Sequence, residues 1–224
     1  MMPSFRPLMA RLRARHAPID IFAQAVETIE LSPAIISKRP PAISLPGEFE
    51  RAHAFYAGRE KEHGRVAGGD DRPEGATIAY ALRDALIAHG VVYAGSASQI
   101  YRREGPKILL TGRAEERAVG LHAATQITEL FFGAWLVEMP GLCLLAEDMQ
   151  LPAITFAKKN WMHESGYRAL LDISAEPIRH ARFETLWVVD DRGTNDGREA
   201  RFCELRRRIR GKVADGTASG KAGR

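Results

Sequence analysis

Three clusters in this chain combine residue types and spacings that could do chemistry. Asp190-Asp191 stands where an apolar run, Glu184–Val189, gives way to a Gly-containing turn, so two carboxylates close a predicted strand. In open α/β sheets ligands gather beyond the carboxyl ends of strands, where such a pair could hold a cation or orient sugar hydroxyls; the competing reading is a polar turn before a helix. His163-Glu164 opens a predicted helix just after Lys158-Lys159. A helix N-terminus attracts anions, so this spot could meet a phosphate or an acceptor, or Glu164 could simply complement the helix dipole. Trp135 and Glu138 are one turn apart on a predicted helix, which puts an aromatic ring and a carboxylate on one face. That pair could stack on and hydrogen-bond a sugar, or be a core tryptophan beside an exposed acid. Asp70-Asp71, inside a Gly-rich stretch, reads as a solvated turn.

Other chemistries lack their spacing. There is no His-x-x-x-His or Cys-x-x-Cys, so no metal site is expected. No Gly-x-Ser-x-Gly elbow or Ser-His-Asp order is present. Gly216-Thr-Ala-Ser-Gly220-Lys221 imitates a phosphate loop, but it is one residue short between its glycines and has Ala222 where a hydroxyl is needed. No cofactor is expected. The two cysteines, Cys143 and Cys203, lie in apolar-patterned helical stretches and are expected as buried, reduced thiols.

The elements that must position these residues follow from periodicity. Ile19–Ile29 reads as a short amphipathic helix, and 31–47, with four prolines, as an extended linker. Residues 57–75 read as a surface loop, so order is expected to begin near Ala76. Thr77–Ala88 and Val91–Ala94, split by His89-Gly90, suit a β-hairpin, and Lys107–Thr111 a further strand. Then come strand Val119–Ala124, a helix capped by Thr128 and running to about Asp148 with a kink or break at Pro140, strand Ala153–Phe156, helix His163–Leu171, strand Glu184–Val189 and helix Arg198–Arg210. On the first of these helices Ile127, Phe131, Ala134, Glu138 and Leu142 form one ridge. The alternation predicts an α/β fold with a parallel sheet and helices on its faces. The Gly- and Ala-rich segment Gly211–Arg224 is expected to be disordered. The division is thus 1–75 extension and linker, 76–210 α/β domain, 211–224 tail.

With 224 residues, 45% hydrophobic and 27% charged, the chain can bury a sizeable core. Net charge is +4, with arginines concentrated at both ends, Arg6–Arg15 and Arg198–Lys212. No aromatic residues interleave with them as base-stacking platforms, so solvated helix faces are preferred to nucleic-acid binding. No apolar run reaches 18 residues and no signal peptide is read, so a cytoplasmic protein without a transmembrane segment is expected. A peripheral membrane contact through Phe5–Ile21 is the one lipid reading.

Phe131-Phe132-Gly133-Ala134-Trp135-Leu136-Val137-Glu138-Met139-Pro140 resembles a motif of bacterial family 61 glycosyltransferases, the capsular polysaccharide biosynthesis type. Three more stretches are similar to the family in the same order: Thr77–Asp84 with Gly90 and Tyr93, Trp161–Leu171, and Asp190-Asp191-Arg192-Gly193-Thr194-Asn195 with Arg201 and Leu205-Arg206. Together they span about residues 75–210. The resemblance implies an inverting, two-lobed, GT-B-like enzyme that moves a sugar from a nucleotide donor to a glycan acceptor hydroxyl, its first lobe shaping the acceptor side. It implies substrate contacts at Gly133, Trp135, Glu138, His163, Glu164, Asp191 and Asn195, and names no catalytic residue. Where the family has a histidine beside the tryptophan, this chain has Ala134, which can neither accept nor donate a proton. The similarity covers the first lobe alone, so a truncated or split enzyme is expected, with a second lobe encoded separately. The alternative is a non-catalytic α/β module that binds a carbohydrate or a protein.

Overall fold

The computed structural model describes residues 7–8, 20–51, 64, 66–101, 114–157 and 161–214. The strands are β1 (Glu27–Ser32), β2 (Ile35–Lys38), β3 (Asp71–Glu74), β4 (Thr77–Ala88), β5 (Val91–Ala94), β6 (Ala97–Ile100), β7 (Glu115–His122), β8 (Ala153–Phe156), β9 (Glu176–Ile178) and β10 (His180–Asp190). The three longer helices are α1 (Phe132–Asp148), α2 (Glu164–Leu171) and α3 (Asp196–Ala214).

One sheet runs in the order β6-β5-β4-β10-β7-β8-β9, with β1 also on β4. It is mixed rather than parallel. β4, β5 and β6 form an antiparallel meander, and the expected hairpin pairs Leu86 with Tyr93 and Ala88 with Val91 around a turn in which His89 and Gly90 both have positive φ. Two residues in that region suit the tight turn that a twisted hairpin requires. β10 then lies antiparallel to β4 but parallel to β7, and β7, β8 and β9 are mutually parallel. The alternation of strand and helix predicted the second half of the sheet; the short turns of the meander account for the first.

The N-terminal region is more ordered than its composition suggests. Of the stretch Ile19–Ile29, the described residues 20–29 do not form an α-helix: a single 3-10 turn, Phe22–Gln24, leads into β1. Ile29 and Leu31 alternate with Glu30 and pack on the core, a period of two that outweighs the weak helical pattern. The sheet therefore starts at Glu27, well before Ala76. Asp71 opens β3, which pairs with β2, so the ends of the supposed linker and loop form a two-stranded ribbon. The expected strand Lys107–Thr111 and most of Phe5–Ile21 lie outside the described residues.

Side chains from α1, α2 and α3 share one cluster, which includes Trp135, Met139, Leu142, Leu171, Leu205 and Trp187. The other face of the sheet is filled by strand residues such as Leu82, Ile87, Phe183 and Val188 with Ile21. Among the described residues, then, the long helices occupy one face and not both. α1 runs through Pro140 unbroken. The proline removes one backbone bond, a cost of roughly 3 kcal/mol in a helix interior, but Met139 to Ala146 is continuously buried and packing holds the turn together. The core-facing ridge is Trp135, Met139, Leu142, Cys143 and Ala146; the expected ridge through Ile127 and Phe131 is exposed at both. α3 continues through Gly211 to Ala214, where Lys212 reaches Asp172 at 3.5 Å, so the tail does not begin at Gly211. Cys143 is buried, and burial pushes its thiol up to about 12, whereas Cys203 is exposed on α3 beside Glu199, contrary to expectation.

Gly193 sits between β10 and α3 against the backbone of Gly75. A Cβ there would lie 2.0 Å from the Gly75 carbonyl oxygen. Backbone on both sides cannot yield as a flexible side chain would. Gly193→Ala is therefore expected to lower stability by about 1–3 kcal/mol, read from a shift in urea midpoint. An unchanged midpoint would mean the loop moves freely.

Candidate functional site

The parallel strands β7, β8 and β10 end on the same edge of the sheet, and there the chain forms a groove of about 450 Å³. Its lining includes Glu138 from α1, Asp190 and Asp191 from the end of β10, Arg192, Thr125 after β7, and Tyr101 after β6. This is where open α/β sheets bind ligands.

The loop from β7 to α1 fixes Glu138. Thr125 and Thr128 lock one turn: the Thr128 hydroxyl donates to the Thr125 carbonyl and accepts from the Thr125 N–H, each at 2.8 Å. Thr128 is spent on this turn and does not cap α1, whose N-cap is Phe131, without a side-chain cap bond. The Thr125 hydroxyl then donates to Glu138 Oε2 at 2.6 Å. Arg198 Nη2 stands 4.0 Å from Glu138 Oε1.

The two aspartates differ. Asp190 is held by Arg192, two residues on, through both of its carboxylate oxygens. Asp191 is a nearly buried anchor. Its Oδ1 accepts from Arg201 Nη2 and from the Thr77 hydroxyl, both at 2.6 Å, and its main-chain oxygen accepts from Arg198 Nη1. Arg201 and Asp191 side chains are 8% and 9% exposed, so this pair ties α3 to the end of β10 in the absence of bulk water. Asn195 works beneath it. Its Nδ2 donates to the Gly75 carbonyl and the Thr77 hydroxyl, and its Oδ1 accepts from the Arg198 N–H, which caps α3. Asn195 is buried and lies outside the groove lining.

The remaining residues implicated by the sequence fall elsewhere. Trp135, 1% exposed, does not share the groove with Glu138; its ring stacks on Phe132 at 5.5 Å and it lines a separate interior cavity with Glu164. Glu164 is fully buried and paired through Oε1 with Arg168 at 2.7 Å, a helical i,i+4 pair, so it is not a dipole-complementing surface acid. His163 is exposed at the N-cap of α2, edge-on to Phe132 at 4.6 Å, and contributes no cap bond. Gly133 is on the exposed first turn of α1. Lys158-Lys159 lies outside the described residues. The sequence reading missed Thr125, Tyr101 and Arg192 in the groove and Arg168 in the cavity. The spacing Thr125-x-x-Thr128 and the i,i+4 relation of Glu164 to Arg168 are the signals that point to two of them.

His122, at the end of β7, is packed edge-on to Tyr101 and Phe156, with ring centroids 4.4 and 4.7 Å away. Neither ring nitrogen has a hydrogen-bond partner among the described residues. Burial pushes its pKa down to about 3 and raises that of Tyr101. His122 is therefore a neutral core group at ordinary pH.

The arginines of α3 are largely committed to carboxylates. Arg206 pairs with Glu199 at 2.8 Å, Arg207 with Glu204 at 2.7 Å, and Arg208 with both Glu204 and Glu147. Such pairs stabilise little, but they leave α3 a mixed-charge face rather than a cationic stripe. Among the described residues no group of three or more His, Cys, Asp or Glu could hold a metal ion, and no helix is long and apolar enough to cross a membrane. Set against family models, curated proteins and solved structures, the chain has no match.

Proposed function

We propose that this chain is the acceptor-side lobe of a glycosyltransferase similar to family 61, binding a glycan hydroxyl while a sugar is delivered from a nucleotide-sugar donor in surface or capsular polysaccharide synthesis. The observation that carries the reading is the groove at the carboxyl edge of the sheet, lined by Glu138, Asp190 and the Asp191 segment. It is walled by the same helix whose sequence resembles the family motif. Carboxylates accept hydrogen bonds from sugar hydroxyls, and those of Glu138 and Asp190 are held in place by Thr125 and Arg192. A groove of this size falls in the range of small-ligand sites. Donor contacts are assigned by the resemblance to a second lobe, and catalysis depends on holding donor and acceptor together.

Ala134 favours a second reading, a carbohydrate-binding module without transferase chemistry, because no imidazole stands beside Trp135. Calorimetric titration with oligosaccharides and, separately, with nucleotide sugars tests both. Oligosaccharide binding that Glu138→Gln weakens about tenfold supports the acceptor groove. Tight nucleotide-sugar binding by the chain would count against the module. Failure of every oligosaccharide to bind would remove both readings.

A further inference from the structure

Beneath α1 and α2, and apart from the groove, an interior cavity of about 170 Å³ opens between these helices and strands β8 and β9. Glu129, Trp135, Thr155, Phe156, Glu164 and Arg168 line it. We propose that this cavity is a binding site for a neutral, hydroxyl-bearing ligand of one-sugar size or smaller.

The argument starts from Glu164. Its side chain is 1% exposed. Arg168 spends both Nε and Nη2 on Oε1, at 3.1 and 2.7 Å, and its Nη1 donates to the Ala175 carbonyl. Oε2 is buried and has no hydrogen-bond partner. A buried carboxylate oxygen left unsatisfied is costly, and native structures rarely leave one without a reason. This oxygen belongs to a side chain that lines a cavity, so a donor placed there would remove the cost.

Charge decides between donors. Glu164 is already matched by the Arg168 guanidinium, and Glu129, the other carboxylate of the lining, is engaged by a partner of its own. A second cation entering would lose its hydration without an unmatched charge on this pair to receive it. A hydroxyl brings a hydrogen bond and no charge, and so suits a compensated pair. Size decides the scale. The volume is that of about five or six waters, too small for a nucleotide or an oligosaccharide. The walls suit a sugar or polyol: Trp135 and Phe156 offer apolar surface to C–H groups, and the Thr155 hydroxyl offers a second hydrogen-bonding group. The site does not depend on the groove, with which it shares no lining residue.

The indole N–H of Trp135 is the local reporter. In proton–nitrogen correlation spectra of the full chain, glucose, galactose and glycerol are titrated in turn, and the indole signal is assigned with Trp135→Phe. At least one of them is expected to shift the Trp135 signal saturably while the Trp187 signal stays still. Ala175→Leu, which fills the cavity from its lining and keeps the main-chain carbonyl that Arg168 holds, is expected to abolish the response. Thr155→Val is expected to weaken it several-fold, and Glu138→Gln, in the groove, to leave it unchanged. No shift with any of the three would mean that the cavity holds water only and overturns the proposal. So would a response that survives Ala175→Leu, a response lost in Glu138→Gln, or a site that answers to methylammonium and not to the polyols.

Discussion

His122→Phe is expected to make the protein less sensitive to acid and, near neutral pH, more stable. The imidazole is 1% exposed, and both nitrogens lack partners among the described residues. Each unsatisfied buried polar group costs about 1–3 kcal/mol, and an apolar ring of similar shape removes that cost. The pH dependence has a definite sign. In the folded protein the group protonates only near 3, whereas in the unfolded chain it protonates near 6.5. Between these values the unfolded state binds a proton that the folded state does not, so stability falls as pH drops through that window. The slope is about 1.4 kcal/mol per pH unit well below 6.5. Lowering pH from about 7 to about 5 should therefore cost wild type about 2 kcal/mol from this residue alone. Denaturant unfolding at several pH values measures it. The Phe variant should show a slope shallower by that amount. Identical slopes in the two proteins would mean that His122 is hydrated or paired in the folded state.

Asp191→Ala is expected to have the largest destabilising effect of any single change at the groove. It removes the partner of Arg201 and leaves a guanidinium 7% exposed in the interior. Breaking a buried pair in this way typically costs about 3–5 kcal/mol, a large part of the 5–15 kcal/mol that stabilises ordinary domains. Thr77, Asn195 and Arg198 all meet at the same point, so the loss should extend to the docking of α3. A double-mutant cycle with Arg201→Ala isolates the pair; a coupling energy above about 1 kcal/mol is expected for groups in direct contact. A loss below about 1 kcal/mol would instead place Asp191 among solvent-exposed pairs.

The contrast between Asp190 and Asp191 shows how far the sequence could be read. That two carboxylates close a strand was visible from the apolar run before them. Which one anchors α3 depends on Arg201, one helical stretch away, and on Thr77, 114 residues earlier, and no local pattern connects them. The hairpin at His89-Gly90 and strand Ala153–Phe156 were legible because turn chemistry and short apolar runs are local signals. The end of α1 near Asp148 was legible too, but its unbroken passage through Pro140 was not, since Met139 to Ala146 is buried all round and a helix buried on every side carries no amphipathic stripe to show that packing holds it. For the same reason Trp135 and Glu138, neighbours on one helix turn, face different spaces. The i,i+3 spacing gave their proximity, while the sheet and α2 determined what each side chain meets.

The position of β10 has a consequence for how this chain is made. β4 waits for a partner that follows roughly a hundred residues later, and β7 waits for the same strand. The meander β4-β5-β6 and the parallel unit β7-β8-β9 can each begin to assemble as they leave the ribosome, yet each presents an open edge until His180–Asp190 emerges. At synthesis rates of about 5–20 residues per second, that interval lasts on the order of 5–20 seconds for β4. During it, two unpaired strand edges are available to other nascent chains or to holding chaperones, and β10 closes both of them at once.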